Sequence, residues 1–312
     1  MERAADIDIP AVRSAGAEAV VRRRKRRLDA DPIGYLLILP FYLFLLLFVL
    51  APIGYNLFLS FTNYNLDTMH GVGINNYKAL FYDRFFGIAL KNTAIYAFFT
   101  LVLTVAFGQI LAVFLNYKWG GIKWVRMSFF SPYVISMVAA SMIWLWIYEP
   151  SHGVANTLLE AIGLNKVQWL QDTKWAMPAV IFTGFWKFLG YNVVIFLAGL
   201  QGISRDLYEA AAVDGAGGFR QYLKITIPQL MPVTFFLIVT GLINNFNVFE
   251  QIQIMTGGGP LNSTTTLVHQ IYNRAFQEFL IGYAAAMSIV LLFLVALLTA
   301  ANFWYGSRSH ES

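Results

Sequence analysis

Of the chain's 312 residues, 58% are hydrophobic and only 12% are charged, about half the charged share of an ordinary soluble domain, so the lipid bilayer is the expected solvent. The absence of cysteine excludes disulfides, thiolate metal sites and cysteine nucleophiles. The net charge of +5 does not point to nucleic acid, because the excess is concentrated in the run Arg22, Arg23, Arg24, Lys25, Arg26, Arg27 before an apolar stretch, with no aromatic-basic interleaving.

That run closes a basic segment, residues 1–31, expected to stay on the cytoplasmic side. The apolar stretch after it is longer than the h-region of a signal peptide, and no small-residue cleavage site ends it, so retention is expected. Six stretches reach the roughly 20 apolar residues that a spanning helix needs: 33–60, 88–116, 125–148, 177–200, 233–254 and 281–305. Asp31 followed by Pro32 suits the start of the first, and Pro40 and Pro52 predict kinks in it. Lysine and arginine fix the orientation. An inside amino terminus places Arg3, Arg13, the basic run, Lys118, Lys123, Arg126, Arg205, Arg220, Lys224 and Arg308 in the cytoplasm, against Lys78, Arg84, Lys91, Lys166, Lys174 and Arg274 outside. Both termini are then cytoplasmic. The outer connections 61–87 and 149–176 carry short amphipathic patterns, as ordered caps would.

Between the fourth and fifth spans, 202–231 holds a helix-forming segment with Leu207, Ala210 and Ala211 along one stripe, which needs a partner. Asp206 and Glu209 sit in its first turns, where the helix dipole favours negative charge; Gly215, Gly217 and Gly218 then break it, and a second short helix is expected over 219–223. On pattern alone this hairpin either docks on another protein or lies on the headgroups.

The wording of the loop resembles the EAA motif of ABC importer permeases: Glu209, Ala210 and Ala211, then Gly215, then Ile225, Ile227 and Pro228, departing only where Ile227 replaces a leucine. Nearly the whole chain after Pro32 is similar to the carbohydrate branch of that family, the group of the maltose and glycerol-phosphate permeases. The features are Pro40, Pro52, Ser60 with Phe61, Asn76 with Tyr77, Asn92 with Thr93, Gly153 with Asn156, and Thr256-Gly257-Gly258-Gly259-Pro260. The resemblance implies an all-α membrane fold with six transmembrane helices, of the type I importer class. It implies that the hairpin couples to an ATP-binding subunit through Glu209, Ala210, Ala211, Gly215, Phe219, Ile225 and Pro228. It also implies a second homologous permease in the pore, two ATP-binding subunits that hold ATP and Mg, and an extracytoplasmic solute-binding protein. The triple glycine is not a phosphate cradle, since no Gly-x-x-x-x-Gly-Lys-Ser/Thr occurs, so no cofactor is expected in this chain.

Polar groups in a span are costly and usually face the bundle interior. In span five, Asn244, Asn247 and Gln251 are expected on one helical face and Gly241, Asn245 and Val248 on the adjacent one; amides suit hydroxyl-rich solutes, and also glue helices together. By resemblance, solute contacts fall on Leu189, Gly190, Gly241, Asn244 and Asn245, although Gly241, Val248 and Val193 depart from the maltose relative's residue types. Lys187 lies roughly 15 Å along span four at 1.5 Å per residue, next to Trp186; both are candidate residues of the solute path, and Glu250 is the candidate partner of Lys187. Trp144, Trp146, Tyr148, Trp169, Trp175, Trp304 and Tyr305 fall near span ends, as interfacial belts do.

A membrane enzyme is disfavoured: His70, His152, His269 and His310 show no metal-ligand spacing, and no Gly-x-Ser-x-Gly elbow occurs. The expected product is a permease domain over 32–306 with a short cytoplasmic tail over 307–312, importing a carbohydrate. The alternative is a secondary transporter or channel without an ATPase partner.

Overall fold

The computed structural model describes residues 32–117 and 119–308, with side chains from 35 to 304 apart from 118. The basic segment 1–31, Lys118, residues 309–312 and the side chains of Tyr305 and Arg308 lie outside the described residues, as do the charge and capping readings that fall on them. Among the described residues there is no β-strand, only an isolated antiparallel bridge between Thr62 and Gly71.

The chain divides into two compact units at Pro52. The first comprises α1 (Pro32–Leu45), a π-helical turn (Leu46–Leu50) and the opening of α2 (Ala51–Leu59). Pro40 sits inside α1 without ending it. Pro52 has no N–H, and its ring would press on the carbonyl four residues back. The wider turn relieves that pressure: the Ala51 N–H reaches five residues back to the Leu46 carbonyl.

The second unit holds α3 (Asn75–Tyr82), α4 (Arg84–Asn116), α5 (Ile122–Val134), α6 (Met137–Ile147), α7 (Val154–Ala161), α8 (Ala176–Gln201), α9 (Arg205–Val213), α10 (Gly218–Gln221), α11 (Ile227–Gln229), α12 (Met231–Phe246), α13 (Glu250–Met255), α14 (Leu267–Tyr272) and α15 (Ile281–Arg308). Four helices are long and apolar enough to cross a bilayer unbroken: 35–59, α4, α8 and α15. The sequence reading of six continuous spans needs correction at two of them. Span three bends by 102° between α5 and α6, and span five is entered through a 60° bend before α12 and stops at Phe246, with α13 beginning after Asn247, Val248 and Phe249.

The central pair is α4 against α8. On α4, Thr100, Thr104, Gly108 and Ala112 recur every four residues and are buried, giving a stripe of small side chains. Close approach is needed there, because a Cβ on Gly108 would lie 2.8 Å from Asn192 Cβ. At one end of this pair Ala112, Leu115, Val193, Phe196, Leu197 and Leu200 bury Leu230 and Leu237. The connections 61–87 and 149–176 are ordered, as the amphipathic patterns suggest, with α3 and α7 inside them.

Candidate functional site

Ser204 caps α9 by accepting from the Asp206 N–H at 3.2 Å. The helix ends in a Schellman arrangement: the Ala216 N–H bonds the Ala211 carbonyl at 2.8 Å, and the Gly215 N–H bonds that of Ala212 at 3.0 Å. Gly215 has φ +77°, a conformation in which a Cβ is strained, which is why glycine stands there. The return arm is longer than the expected 219–223. It runs from Gly218 to Gln229 through a π-helical turn, Tyr222–Thr226, whose closing bond joins the Ile227 N–H to the Tyr222 carbonyl. Pro228 follows at once, repeating the arrangement at Pro52. Tyr208 Oη and Thr226 Oγ1, 2.9 Å apart, tie the two arms, and Gln221 Nε2 donates to the Ala216 carbonyl at 3.0 Å.

Glu209, Ala210, Gly215, Phe219 and Pro228 are exposed, while Ala211 and Ile225 are half-buried. Val213 is 89% and Phe219 77% exposed, with Leu207 and Leu223 also exposed beside them. The hairpin therefore presents an apolar face that its own chain leaves uncovered. Its far end is not loose: Leu230, where the arm turns into α12, is fully buried, and a Cβ on Gly199 would lie 2.9 Å from Leu230 Cδ2 and 2.8 Å from Val233 Cγ2.

At the other end of α12, Tyr96, Met137, Phe188, Asn244, Asn245, Asn247, Val248, Phe249, Glu250 and Gln251 enclose a cleft of about 250 Å³. A narrower cleft beside it adds Gly241, Thr240 and Asn192. Both helix breaks reach this place, since Met137 is the first residue of α6 and 247–249 separate α12 from α13. The amides do not share one continuous face, because the helix carrying Asn244 ends before Gln251. Asn244 and Asn247 are exposed, Asn245 is buried and donates to the Ala97 carbonyl of α4 at 3.4 Å, and Gln251 is fully buried. Asn245 thus joins helices, while Asn244 and Asn247 present exposed amides, the latter with Nδ2 donating to the Ile243 carbonyl at 2.8 Å.

Four expected path residues lie elsewhere. Gly190 is buried where α5 crosses α8, and a Cβ there would overlap the Phe129 carbonyl. Leu189 packs against the Ala112–Phe196 cluster. Trp186 packs edge-on to Trp144, ring centres 5.5 Å apart. Lys187 is only 5% exposed, and it closes no direct ion pair with Glu250. Nζ donates to the carbonyls of Pro132 at 2.9 Å, Tyr133 at 2.8 Å and Ile135, so a cation closes the carboxyl end of α5 at the bend in span three. The ion pairs among the described residues are Lys166–Glu160, Arg274–Asp83 and Arg274–Glu278. The aromatic belt needs correction at Trp144 and Tyr148, which are buried and pack with Trp169 in a core, whereas Trp146, Trp175 and Trp304 are exposed.

The remaining motif residues are knots. Asn156 donates to the carbonyls of Pro150 and Val167 and accepts from the Val167 N–H and Trp169 Nε1, all within 3.0 Å. Asn76 Nδ2 bonds the carbonyls of Ser60 and Thr62 at 2.8 Å, and Tyr77 Oη meets Ser60 Oγ at 2.7 Å. The glycine run folds against Thr264, Thr265 and Thr266, which the sequence reading missed: Thr265 Oγ1 donates to the Gly258 carbonyl and Thr266 Oγ1 to that of Val248 at the span-five break. Asn92 Nδ2 donates to the Thr265 carbonyl, and Thr93 Oγ1 accepts from the Leu267 N–H, fastening this loop to α4. Three consecutive threonines after an apolar span were the available signal.

The profile of the family described as "Binding-protein-dependent transport system inner membrane component" matches residues 105–309, two thirds of the chain and all of the hairpin and cleft helices from α8 onward. The chain belongs to this family. It is therefore a membrane transport subunit, a permease rather than an enzyme. The permease is 38% identical over 275 residues to "Probable ABC transporter permease protein YurN" of Bacillus subtilis strain 168, covering 86% of this chain and 93% of that one. It is 33% identical over 278 residues to the sn-glycerol-3-phosphate transport system permease protein UgpA of Escherichia coli O157:H7, covering 88% and 93%. Among solved structures, a chain of a bacterial ABC transporter involved in the import of the acidic polysaccharide alginate superposes with a TM-score of 0.79 at 27% identity, covering 89% of this chain and 96% of that one. A second structure, of the bacterial alginate ABC transporter in complex with alginate pentasaccharide-bound periplasmic protein, superposes with a TM-score of 0.77.

Proposed function

We propose that the permease carries a saccharide or sugar derivative into the cytoplasm by alternating access, driven by ATP and Mg held on two separate ATP-binding subunits. A second homologous permease completes the pore, and an extracytoplasmic solute-binding protein delivers the cargo. Both termini face the cytoplasm, with a basic segment over 1–31, the membrane domain over 32–306 and the tail over 307–312. The kinship with UgpA and with alginate importers supports the substrate class. So does a cleft whose exposed amides, Asn244 and Asn247, have the chemistry to donate and accept hydrogen bonds beside Phe188 and Phe249. Gly241 and Asn245 shape that wall, while Leu189, Gly190, Trp186 and Lys187 act by holding α8 against α5 and α6.

One observation carries the reading. The hairpin exposes an apolar face around Phe219 and is continuous, through buried Leu230, with the helix that carries the amides. An ATPase gripping Glu209, Ala210, Ala211, Gly215, Phe219, Ile225 and Pro228 thereby gains different affinities for the two pore states, which is the minimum that coupling requires. The test is co-expression with the ATP-binding subunit. Glu209→Ala and Gly215→Val are expected to abolish the complex or ATP-driven uptake while the permease still inserts; uptake that survives both, or that proceeds without the ATPase, would overturn the reading in favour of a self-sufficient transporter.

A further inference from the structure

Beyond the hairpin and the path, a separate cleft of about 1030 Å³ opens where the α4–α5 connection meets the start of α9. Lys123, Arg126 and Arg205 line it, and no carboxylate is among its lining residues. Lys123 and Arg205 are exposed. Arg126 is held in place, spending Nε and Nη2 on the Leu115 carbonyl at 3.1 and 2.6 Å. The amino terminus of α5 also belongs to this cleft, through Ile122 and Lys123, and Gly121 before it offers no side-chain cap, so its positive dipole end is not neutralised by an anionic residue.

The surroundings place these charges at a membrane surface. Only a short connection separates α4 from α5, and Tyr117, Trp119 and Trp124, all exposed, flank the cations as amphipathic rings do at headgroup level. A soluble anion would be bound there by charge alone, whereas this cleft combines charge with an aromatic rim and with the apolar flanks Leu200 and Ile203.

We infer that the cleft between the α4–α5 connection and α9 binds the phosphodiester headgroup of an anionic phospholipid in the leaflet next to the hairpin. The lipid sits against the base of α9, so its presence steadies the hairpin's first arm.

The test uses the full chain in detergent, titrated with phosphatidylglycerol or with phosphatidylcholine and read by native mass spectrometry. Phosphatidylglycerol is expected to be retained and phosphatidylcholine lost. Lys123→Gln and Arg205→Gln should each weaken retention about fivefold, as expected for one interfacial charge, and the charge-keeping pair Lys123→Arg with Arg205→Lys should restore it. Lys224→Gln, exposed on the hairpin but outside the cleft, should change nothing. Equal retention of the two lipids, undiminished binding by the double glutamine variant, or displacement by inorganic phosphate as effective as by lipid would overturn the proposal; the last would mark a site for free anions. Because the readout is binding and not uptake, its failure leaves the transport reading standing.

Discussion

Lys187 shows how a single residue changes meaning between sequence and structure. In the sequence it is a cation within an apolar span, and the search for a partner turns to Glu250 near the outer end of span five. In the fold its ammonium meets backbone carbonyls left open at the end of α5, from Pro132, Tyr133 and Ile135. A sequence shows side chains and hides which carbonyls have lost their helical donors, so this partnership was illegible. Leaving buried carbonyls unsatisfied costs about 1–3 kcal/mol for each group. Lys187→Met is therefore expected to lower the melting temperature in detergent sharply, whereas Glu250→Gln, at an exposed position, should stay within about 0.5 kcal/mol of the parent. Comparable losses in both variants would revive the ion pair.

Among elements, those governed by local chemistry were legible. Gly215 announced the end of α9 because only glycine adopts φ +77° without strain, and the helices α4, α8 and α15 followed from apolar length. The break in span three was obscured by the high overall hydrophobicity of 125–148, although Ser136 signals it by capping α6, accepting from the Ala139 N–H at 3.2 Å. The break in span five carries no proline or glycine, only a fixed attachment to Thr266 from another loop. A turn in the 149–176 connection offers a pH test. The Glu149 carboxylate accepts from the His152 and Ser151 N–H groups, and these bonds hold it below the usual carboxylate range. A lowered folded-state pKa means that the stabilisation is complete above the ordinary carboxylate pKa and is lost as pH falls through the lowered one. Hydrogen exchange at Ser151 and His152, corrected for its intrinsic pH dependence, should accelerate over that acidic window in the parent, and show no such step in Glu149→Gln.

For the whole molecule, the hairpin and the amide cleft lie at opposite ends of α12, and the rigid join between them is the packing of Leu230 and Val233 on Gly199. Overpacking that contact should decouple the two ends without touching either. Gly199→Leu is expected to leave the ATPase bound and hydrolysing, while solute uptake falls roughly tenfold, the equivalent of about 1.4 kcal/mol and within the usual cost of inserted methylenes. Loss of the complex itself would show that the join serves assembly instead. The cleft was only half legible: Asn244 and Asn247 stood out as amides in an apolar span, but Tyr96, Met137 and Phe188 come from three other helices whose meeting no local pattern encodes.

The π-helical turn before Pro228 sets a rotational phase. A π turn accommodates one residue more than the α-helical path, and one residue is roughly 100° of azimuth on a helix. The direction in which Phe219 and the first arm point, relative to the 60° bend that leads into α12, is thus tuned by an indexing step at Tyr222–Thr226. Lengthening or shortening that segment by a single residue would swing the docking face around the helix axis while every contact within the membrane stayed where it was. The return arm thus carries an angular setting as well as a position, and that setting is written into the spacing between the glycines and the proline.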